Sequence, residues 1–376
     1  MFINDNEFIY FRRSDWGPHA DYHDIIKHTV DEGTVLVPAD FGIISLEDET
    51  ICSGIFHVPG NRTDNGIFLY ENCVYLTTKW FNRTAIVKID LESGLVTNVK
   101  VNETISCILM DISVNGKMIF VESSLIDPPR LIEENFDQTE RIVLYEPVPN
   151  KNNFEFKQGS VSTTTNDQDS FYFHQITQPK SENLILFMHG GPHSSSGNEF
   201  NHKLFGYLKL GYDLIIPNYR GSLGFGFKYL RKLPGRIGHI DVADCIQSVR
   251  LAQKSKNYKN TFLIGGSHGG FLGTWLSSLE QFSACSIRNP VVNLNSMYAV
   301  TDIPDWIIYE AFGRKYTPGH VLSNEELEEL RKKSPISNVK NVKTPTLMKI
   351  GLKDIRVPKY QGNYCILLYI RVTMEF

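Results

Sequence analysis

The sequence predicts a mostly parallel α/β sheet with helices on both faces, preceded by an all-β region. Up to about residue 146 the apolar runs are short and extended, whereas after about residue 170 apolar strands alternate with amphipathic helical segments. Strands that alternate with helices are typical of a parallel sheet covered on both faces. The length of 376 residues also agrees with two domains of roughly 100 to 200 residues each.

Residues 1–146 make up the predicted all-β region. Runs of β-branched and aromatic residues separated by Asn, Gly, Asp and Pro predict antiparallel strands, and these runs are residues 34–37, 66–70, 74–77, 85–89 and 117–121. Residues 85–90 and 95–101 predict a hairpin. Units of strand, turn and strand spaced by about 40 residues are typical of β-propeller blades. Because about three blades fall short of the roughly four to eight that close a propeller, we expect part of a propeller or another β fold.

Residues 147–170 separate the two regions and are rich in Pro, Asn, Ser and Thr. This composition is typical of loops and of connections between domains. We therefore expect a linker or a surface loop here, followed by a second domain over residues 171–376.

The second domain shows the alternation of strands and helices. Its apolar strands are predicted at residues 184–188, 213–216, 261–264 and 345–350. Residues 241–252 and 270–279 place apolar side chains on one face of a helix. Ser323 followed by Glu326 predicts a capping box that opens a further helix.

Composition and charge argue against several classes of function. The formal net charge is −4 and basic residues are spread along the chain, which disfavours a nucleic-acid partner. The N-terminus has no signal-peptide pattern, and no apolar run reaches the roughly 18 residues needed to span a bilayer. We therefore expect a cytoplasmic protein without membrane association. The six cysteines occur singly, without zinc-site spacing, and are expected to be reduced and mostly buried.

The clearest chemical signal is the run Gly265-Gly266-Ser267-His268-Gly269, which joins an apolar strand to an amphipathic helix. A G-x-S-x-G motif in that context predicts a nucleophile elbow, a tight turn that exposes the serine hydroxyl at the edge of the sheet. A phosphate-binding turn is the alternative. The sequence has neither the G-K-[ST] nor the G-x-G-x-x-G spacing of such turns here, so Ser267 is the predicted catalytic nucleophile.

The run His189-Gly190-Gly191-Pro192-His193 follows the first predicted strand of this domain. An H-G-G segment at that place can direct a backbone N–H group at an oxyanion, and the N–H of His268 is the expected second donor. The alternative is a metal site formed by His189 and His193. Because Gly-Gly-Pro disfavours the helix that would align the two rings, no metal is expected.

A serine nucleophile needs an acid and a histidine, which follow it in this order in an α/β-hydrolase. Asp354 follows the last predicted strand and is the expected acid. No histidine occurs between residues 355 and 376, and only His268 and His320 follow Ser267. We expect His268 to point away from the serine and His320 to lie in a loop. No catalytic histidine is therefore found in the sequence.

These motifs together resemble the acylaminoacyl-peptidases of the prolyl oligopeptidase group of serine peptidases. The resemblance covers about residues 170–362 and rests also on the runs Asn218-Tyr219-Arg220-Gly221-Ser222, Leu233-Pro234-Gly235-Arg236, Arg288-Asn289-Pro290-Val291 and Thr301-Asp302-Ile303-Pro304-Asp305-Trp306. It implies a β-propeller that covers an α/β-hydrolase domain. It also implies release of an N-acylated, typically N-acetylated, residue from short peptides by cytosolic homo-oligomers that use no metal or organic cofactor.

The resemblance also implies a role for individual residues. The family's nucleophile and acid correspond to Ser267 and Asp354, and its oxyanion donors correspond to the N–H groups of Gly191 and His268. Arg356, two residues after the aspartate, resembles an arginine that lies beside the substrate. After about Gly362 the sequence departs from the family pattern, before the segment that carries the family's histidine.

Two hypotheses about function follow. In the first, the chain is a serine peptidase of this lineage whose activity is little or none because it lacks the proton acceptor. In the second, the chain is a catalytically silent isoform that binds N-acylated peptides or regulates a full-length oligomeric partner.

Overall fold

The computed structural model describes residues 1–13, 17–29, 32–39, 42–44, 51–56, 66–99, 104–148, 153–162, 170–280 and 282–366. Within the N-terminal ranges, strands β1 to β14 are, in chain order, Phe2–Asn4, Glu7–Arg12, Asp24–His28, Gly33–Val37, Gly42–Ile44, Ile51–Ser53, Ile67–Tyr70, Cys73–Trp80, Arg83–Asp90, Val96–Asn98, Ser106–Ile112, Lys117–Ser123, Arg130–Asn135 and Arg141–Tyr145.

These strands form three sheets in the described part of the N-terminal region. Their strand orders are β1-β2-β3-β4, β6-β5-β10-β9-β8-β7 and β11-β12-β13-β14. Each run that the sequence predicts as a strand overlaps one of these strands. The predicted hairpin consists of β9 and β10, in which Val96 pairs with Ile89. The prediction of an all-β, blade-like region is therefore confirmed.

The second domain is a seven-stranded sheet with helices. Strands β15 to β21 are Glu155–Ser162, Ser170–Thr177, Asn183–Met188, Asp213–Asn218, Asn260–Gly266, Ala284–Arg288 and Thr346–Lys349. Helices α1 to α7 are His202–Lys209, Phe227–Leu230, Ile240–Ser255, His268–Leu279, Leu294–Tyr298, Pro304–Phe312 and Asn324–Lys333. The strand order is β15-β16-β18-β17-β19-β20-β21. The five strands β17 to β21 are all parallel to one another. The predicted mostly parallel α/β sheet is confirmed.

Strand β17 shows why helices cover both faces of this sheet. Leu184 and Leu186 belong to the core cluster that includes residues of α3 and α4. Ile185, between them, packs in a separate cluster with Leu204 and Leu208 of α1. Successive side chains of a strand point to opposite faces, so an entirely apolar strand requires helices on both sides.

The structure differs from the prediction at residues 147–170. Residues 155–162 form β15, which pairs with β16 in antiparallel register from Glu155–Thr177 to Ser162–Ser170. Half-buried and exposed side chains alternate along most of β15 because the strand lies at the sheet edge. Its polar composition therefore resembles that of a loop. Residues 163–169 lie outside the described ranges.

Several local predictions are borne out. The Ser323 hydroxyl accepts a hydrogen bond from the Glu326 N–H, and the Glu326 carboxylate accepts one from the Ser323 N–H, which completes the capping box of α7. Cys73, Cys107, Cys245, Cys285 and Cys365 are buried free thiols. The side chain of Cys52 is not among those described. No helix in the described ranges is both long and apolar enough to cross a bilayer.

Hydrogen bonds join the N-terminal region to the backbone of residues 224–226, just before α2. The hydroxyl of Tyr22, a buried residue, accepts hydrogen bonds from the N–H groups of Gly224 at 2.9 Å and Gly226 at 3.0 Å. The N–H of Phe81, in the turn between β8 and β9, donates to the Gly224 carbonyl at 2.7 Å. The N-terminal region is thus fixed to the second domain at this segment.

We expect Tyr22→Phe to lower the free energy of unfolding by about 1–3 kcal/mol, because it leaves the two glycine N–H groups without their buried acceptor. Chemical denaturation measures this change. Tyr10→Phe, at a tyrosine that is 39% exposed, is the matched control and should have little effect. Equal stability of the two variants would contradict this account of the interface.

Candidate active site

Ser267 occupies a strained turn between β19 and α4. Its backbone angles are φ +57° and ψ −120°, in a region that residues with a side chain rarely adopt. The Ser267 N–H donates to the Arg288 carbonyl of β20 at 2.9 Å, and its carbonyl accepts hydrogen bonds from the N–H groups of Gly270 and Phe271. These bonds tie the turn to both the sheet and the helix, as in a nucleophile elbow.

Glycines let three backbone segments meet at this turn. A Cβ atom at Gly265 would lie 2.3 Å from the Gly269 carbonyl oxygen, and one at Gly269 would lie 2.2 Å from the Met188 carbonyl oxygen. A Cβ atom at Gly190 would lie 3.0 Å from the Gly266 carbonyl oxygen and 3.4 Å from the Ser267 Cβ. The H-G-G segment therefore packs directly against the elbow.

Of the two predicted oxyanion residues, His268 directly follows Ser267 and Gly191 lines the same pocket. His268 is the first residue of α4, so its N–H belongs to the helix N-terminus, where the first N–H groups have no partner within the helix. Gly191 follows the packed Gly190, has φ +123°, and lines the same pocket as Ser267. The structure thus brings the predicted nucleophile and both predicted donor residues together.

The histidine rings of the H-G-G-P-H segment are engaged in separate hydrogen bonds. His189 Nε2 lies 2.9 Å from the Ser222 hydroxyl, and His193 Nε2 lies 3.1 Å from the Glu310 carboxylate. Burial lowers the pKa of His189 to about 4, so this ring is neutral at pH 7. These separate partners give each ring a structural role.

Asp354 is held by three hydrogen-bond donors. Its Oδ1 atom accepts from the N–H groups of Arg356 at 3.0 Å and Val357 at 2.9 Å. Its Oδ2 atom accepts from the Asn289 side-chain amide. Asn289 directly follows β20, the neighbour of the nucleophile strand β19. The carboxylate is therefore fixed at the sheet edge that also carries Ser267.

Among the described residues, no imidazole forms a hydrogen bond with the Ser267 hydroxyl. His268 Nε2 lies 2.9 Å from Asp241 and both side chains are fully buried, so its ring points away from the serine, as expected. His320 Nε2 lies 3.0 Å from Glu326 and is outside the helices, which agrees with the predicted loop. Neither ring serves Ser267 as a base.

A pocket of about 270 Å³ opens beside Ser267. Its apolar lining consists of Val291, Met297, Ile303, Trp306 and Val357. His19 and Ala20 of the N-terminal region also line it. Both domains therefore shape the space in front of the nucleophile.

Arg356 lines this pocket as well. Its Nε and Nη2 groups donate to the Asp302 carboxylate at 2.8 and 3.0 Å. These hydrogen bonds raise the pKa of Arg356 and lower the pKa of Asp302. Asp302 thus orients the Arg356 guanidinium at the pocket. The contact between Arg356 and a substrate stays a prediction.

The structure adds site residues that were not predicted from the sequence. The indole Nε1–H of Trp306 donates to the Gly191 carbonyl at 3.2 Å, and the Asn289 amide bonds Asp354. Both residues lie in runs that carry the family resemblance, but nothing in their local pattern indicates these partners. His19 comes from a region with no active-site signal at all.

Comparison with known proteins agrees with this geometry. The model of the prolyl oligopeptidase family matches residues 198–365. Acylamino-acid-releasing enzyme of Arabidopsis thaliana is 42% identical over 200 residues, which are 52% of this chain and 26% of that protein. Acylamino-acid-releasing enzyme 2 of Oryza sativa subsp. japonica is 33% identical over 342 residues, which are 82% of this chain and 44% of that protein. The chain thus spans less than half the length of these relatives.

Solved structures share the fold. An acylaminoacyl peptidase of Pyrococcus horikoshii superposes with a TM-score of 0.69 at 18% identity, over 99% of this chain and 64% of that one. A puromycin hydrolase superposes with a TM-score of 0.73 at 15% identity, over 99% of this chain and 63% of that one. At these identities the likeness concerns the architecture, an all-β region followed by an α/β-hydrolase domain.

We expect Gly269→Ala to lower the free energy of unfolding by about 3 kcal/mol or more, because its new methyl group would overlap the Met188 carbonyl. Gly266→Ala is the matched control in the same turn, since its Cβ would meet nothing closer than 3.5 Å. It should stay within about 1 kcal/mol of the parent. Urea denaturation of both variants distinguishes close backbone packing from a general intolerance of alanine.

Acid should destabilise the fold through buried neutral histidines. Burial lowers the pKa of His174 and of His189 to about 4, against about 6.5 in an unfolded chain. The unfolded state therefore takes up protons first. The stability that each ring contributes is present above about pH 6.5 and is lost as the pH falls toward 4, by up to about 3 kcal/mol per ring.

The measurement is the free energy of unfolding between pH 7 and pH 4.5. We expect His174→Gln to flatten this dependence, whereas His239→Gln, at an exposed residue, should leave it unchanged. An unaltered slope in His174→Gln would show that this ring does not act as a buried neutral group.

Proposed function

Residues 198–365 belong to the prolyl oligopeptidase family of serine hydrolases, and on that premise we propose that the chain acts on N-acylated peptides. The proposed reaction releases an N-acyl, typically N-acetyl, amino acid from the start of a short peptide. The observation that carries the proposal is the strained Ser267 turn, which lines a pocket together with Gly191, one of the two predicted oxyanion residues. The names of the relatives support the substrate class.

The chemistry follows from the arrangement of the site. The Ser267 oxygen would attack the carbonyl carbon of the acylated residue, and the N–H groups of Gly191 and His268 would donate to the resulting oxyanion. Collapse would expel the amine of the shortened peptide and leave an acyl-enzyme, which water would hydrolyse. Asp354 stands where a triad acid orients a histidine that accepts the serine proton and passes it to the leaving amine, and residues 355–376 contain no histidine for that role.

The pocket supports a small substrate group. Its volume of about 270 Å³ is below the roughly 300–1,000 Å³ of sites for drug-sized ligands, and its lining combines apolar side chains with polar ones. A single acylated residue with a small or medium apolar side chain matches such a space. His19 and Ala20 limit it on the side of the N-terminal region, which favours short peptides over folded proteins.

A second candidate function is peptide binding without turnover. It is favoured by residues 355–376, which contain no histidine, and by the described imidazoles, none of which forms a hydrogen bond with Ser267. A site with a nucleophile and oxyanion donors but no base would bind an acylated peptide and not cleave it. Such a chain would act as a silent partner of a full-length homo-oligomer.

We expect a polypeptide of this sequence to hydrolyse N-acetyl-alanyl anilide at a trace rate at most, because loss of the triad histidine costs on the order of a millionfold in kcat. Ser267→Ala is the control for serine-dependent turnover. If the parent hydrolyses the anilide robustly and Ser267→Ala abolishes this activity, the conclusion that the chain lacks a catalytic base is wrong. The proposed peptidase function would then still stand.

Binding tests the substrate class independently of turnover. Isothermal titration should give a measurable affinity for an N-acetylated tripeptide and a weaker affinity for the same peptide with a free amine, whose charge would lose its hydration in the pocket. Equal or absent binding of both peptides, together with no hydrolysis, would count against both candidate functions.

A further inference from the structure

We infer that Glu310, through its buried contact with His193, is a positioning residue that holds the Gly191 amide at the oxyanion site. The inference deepens the proposed function and rests on it, since it assumes that the Gly191 N–H receives the oxyanion. Glu310 lies on α6, far from Ser267 in sequence, and nothing in the local sequence pattern links it to catalysis.

Helix α6 contacts the oxyanion segment at two points. The Trp306 Nε1–H donates to the Gly191 carbonyl at 3.2 Å, and the Glu310 carboxylate lies 3.1 Å from His193 Nε2. Residues four apart lie on one face of a helix. Trp306 and Glu310 therefore present one helix face to Gly191 and to His193, two residues further along the chain.

The His193 ring is held from both sides. Its Nδ1 atom lies 2.7 Å from the Gly221 carbonyl oxygen, which can only accept a hydrogen bond, and its Nε2 atom faces the Glu310 carboxylate. Two acceptors on opposite nitrogens require both nitrogens to carry hydrogen. With Glu310 ionised, the ring is a cation paired with a carboxylate that is fully buried.

The charges around His193 agree with this state. Burial acts to lower the pKa of His193, but the Glu310 carboxylate outweighs it and the pKa is raised. The Asp21 carboxylate adds to this effect from the N-terminal region, while Asp21 itself is paired with Arg231. Besides burial, the charge of the nearby His193 ring lowers the pKa of His189, which agrees with the neutral state of that ring.

Backbone packing couples His193 to Gly191. A Cβ atom at Gly191 would lie 2.7 Å from the His193 nitrogen and 3.1 Å from its carbonyl carbon. The chain is therefore folded tightly back on itself between these residues, and Gly191 adopts φ +123° within that turn. A shift of the His193 ring away from α6 would move the Gly191 amide with it.

The consequence should appear only when an oxyanion is present. Removing one partner of a buried ion pair destabilises the fold, so the comparison is made between two ligands of the folded variant. One oxyanion donor is worth about 10²–10³ in rate. Moving the Gly191 N–H away from the oxyanion should lower the affinity for a ligand that carries this oxyanion by less than removing this donor would. We therefore expect Glu310→Gln to weaken binding of a tetrahedral ligand by about tenfold or more, and binding of a trigonal ligand by less than about twofold.

The test uses two ligands that need no turnover. In the boronic acid analogue of N-acetyl-alanine, the Ser267 oxygen adds to the trigonal boron, its proton passes to solvent, and a tetrahedral boronate anion with an oxygen at the oxyanion site results. N-acetyl-alanine amide has the same side chain and a trigonal carbonyl. Isothermal titration of both ligands is compared among the parent, Glu310→Gln and Glu280→Gln.

Glu280→Gln is the matched control, because it removes a carboxylate from an exposed pair with Arg250 and should leave both affinities unchanged. Ser267→Ala should abolish the advantage of the boronic acid over the amide. Thermal unfolding establishes that each variant is folded at the titration temperature. If Glu310→Gln fails to fold, Glu310→Asp, which keeps the carboxylate but shortens its reach to His193 by one methylene group, replaces it with the same expected selectivity for the tetrahedral ligand.

The outcomes separate the two levels of the proposal. Equal loss of affinity for both ligands in Glu310→Gln, or no loss for either, would overturn the positioning role while the proposed function stands. A parent chain whose boronic acid affinity does not depend on Ser267 would overturn the proposed function itself. Selective loss for the tetrahedral ligand supports both.

Discussion

Close backbone packing around Ser267 is the constraint on which the rest of the site depends. The serine adopts a positive φ angle that is unfavourable for a residue with a side chain, and the turn is held by hydrogen bonds to β20 and within α4. Gly265 and Gly269 allow the strand, the helix and the end of β17 to approach to distances that a Cβ would forbid. That approach places the serine beside the oxyanion segment and opens the hydroxyl to the pocket.

Helix α6 connects this turn to the remainder of the molecule. Trp306 and Glu310 contact the oxyanion segment, Trp306 also lines the pocket, and Asp305 meets His19 of the N-terminal region at 2.7 Å. One short helix thus joins the oxyanion site, the pocket wall and the domain interface. A displacement of the N-terminal region would therefore shift α6 and alter the pocket beside Ser267.

The fold was largely predictable from periodicity, because a strand or helix buried on one face or two shows it in its own residues. The edge strand β15 was not, since a strand that is half exposed carries as much polar character as a loop. The short helix α6 gave no periodic signal long enough to be identified, although its residues carry part of the family resemblance. Strands β16 and β20 were not predicted either, although both bury side chains in the sheet, so burial alone did not make a strand recognisable.

The sequence by itself indicated Ser267 as the candidate nucleophile, Asp354 as the candidate acid and the glycines of the elbow, because a strand, a tight turn and a helix in succession form a local pattern governed by backbone sterics. Only the tertiary structure decided what holds them. Asn289 reaches Asp354 across 65 residues and Glu310 reaches His193 across 117, and such partners depend on which elements the fold makes neighbours. Hydrogen-bond partners of buried polar groups are set by that arrangement in space, which no local run of residues encodes.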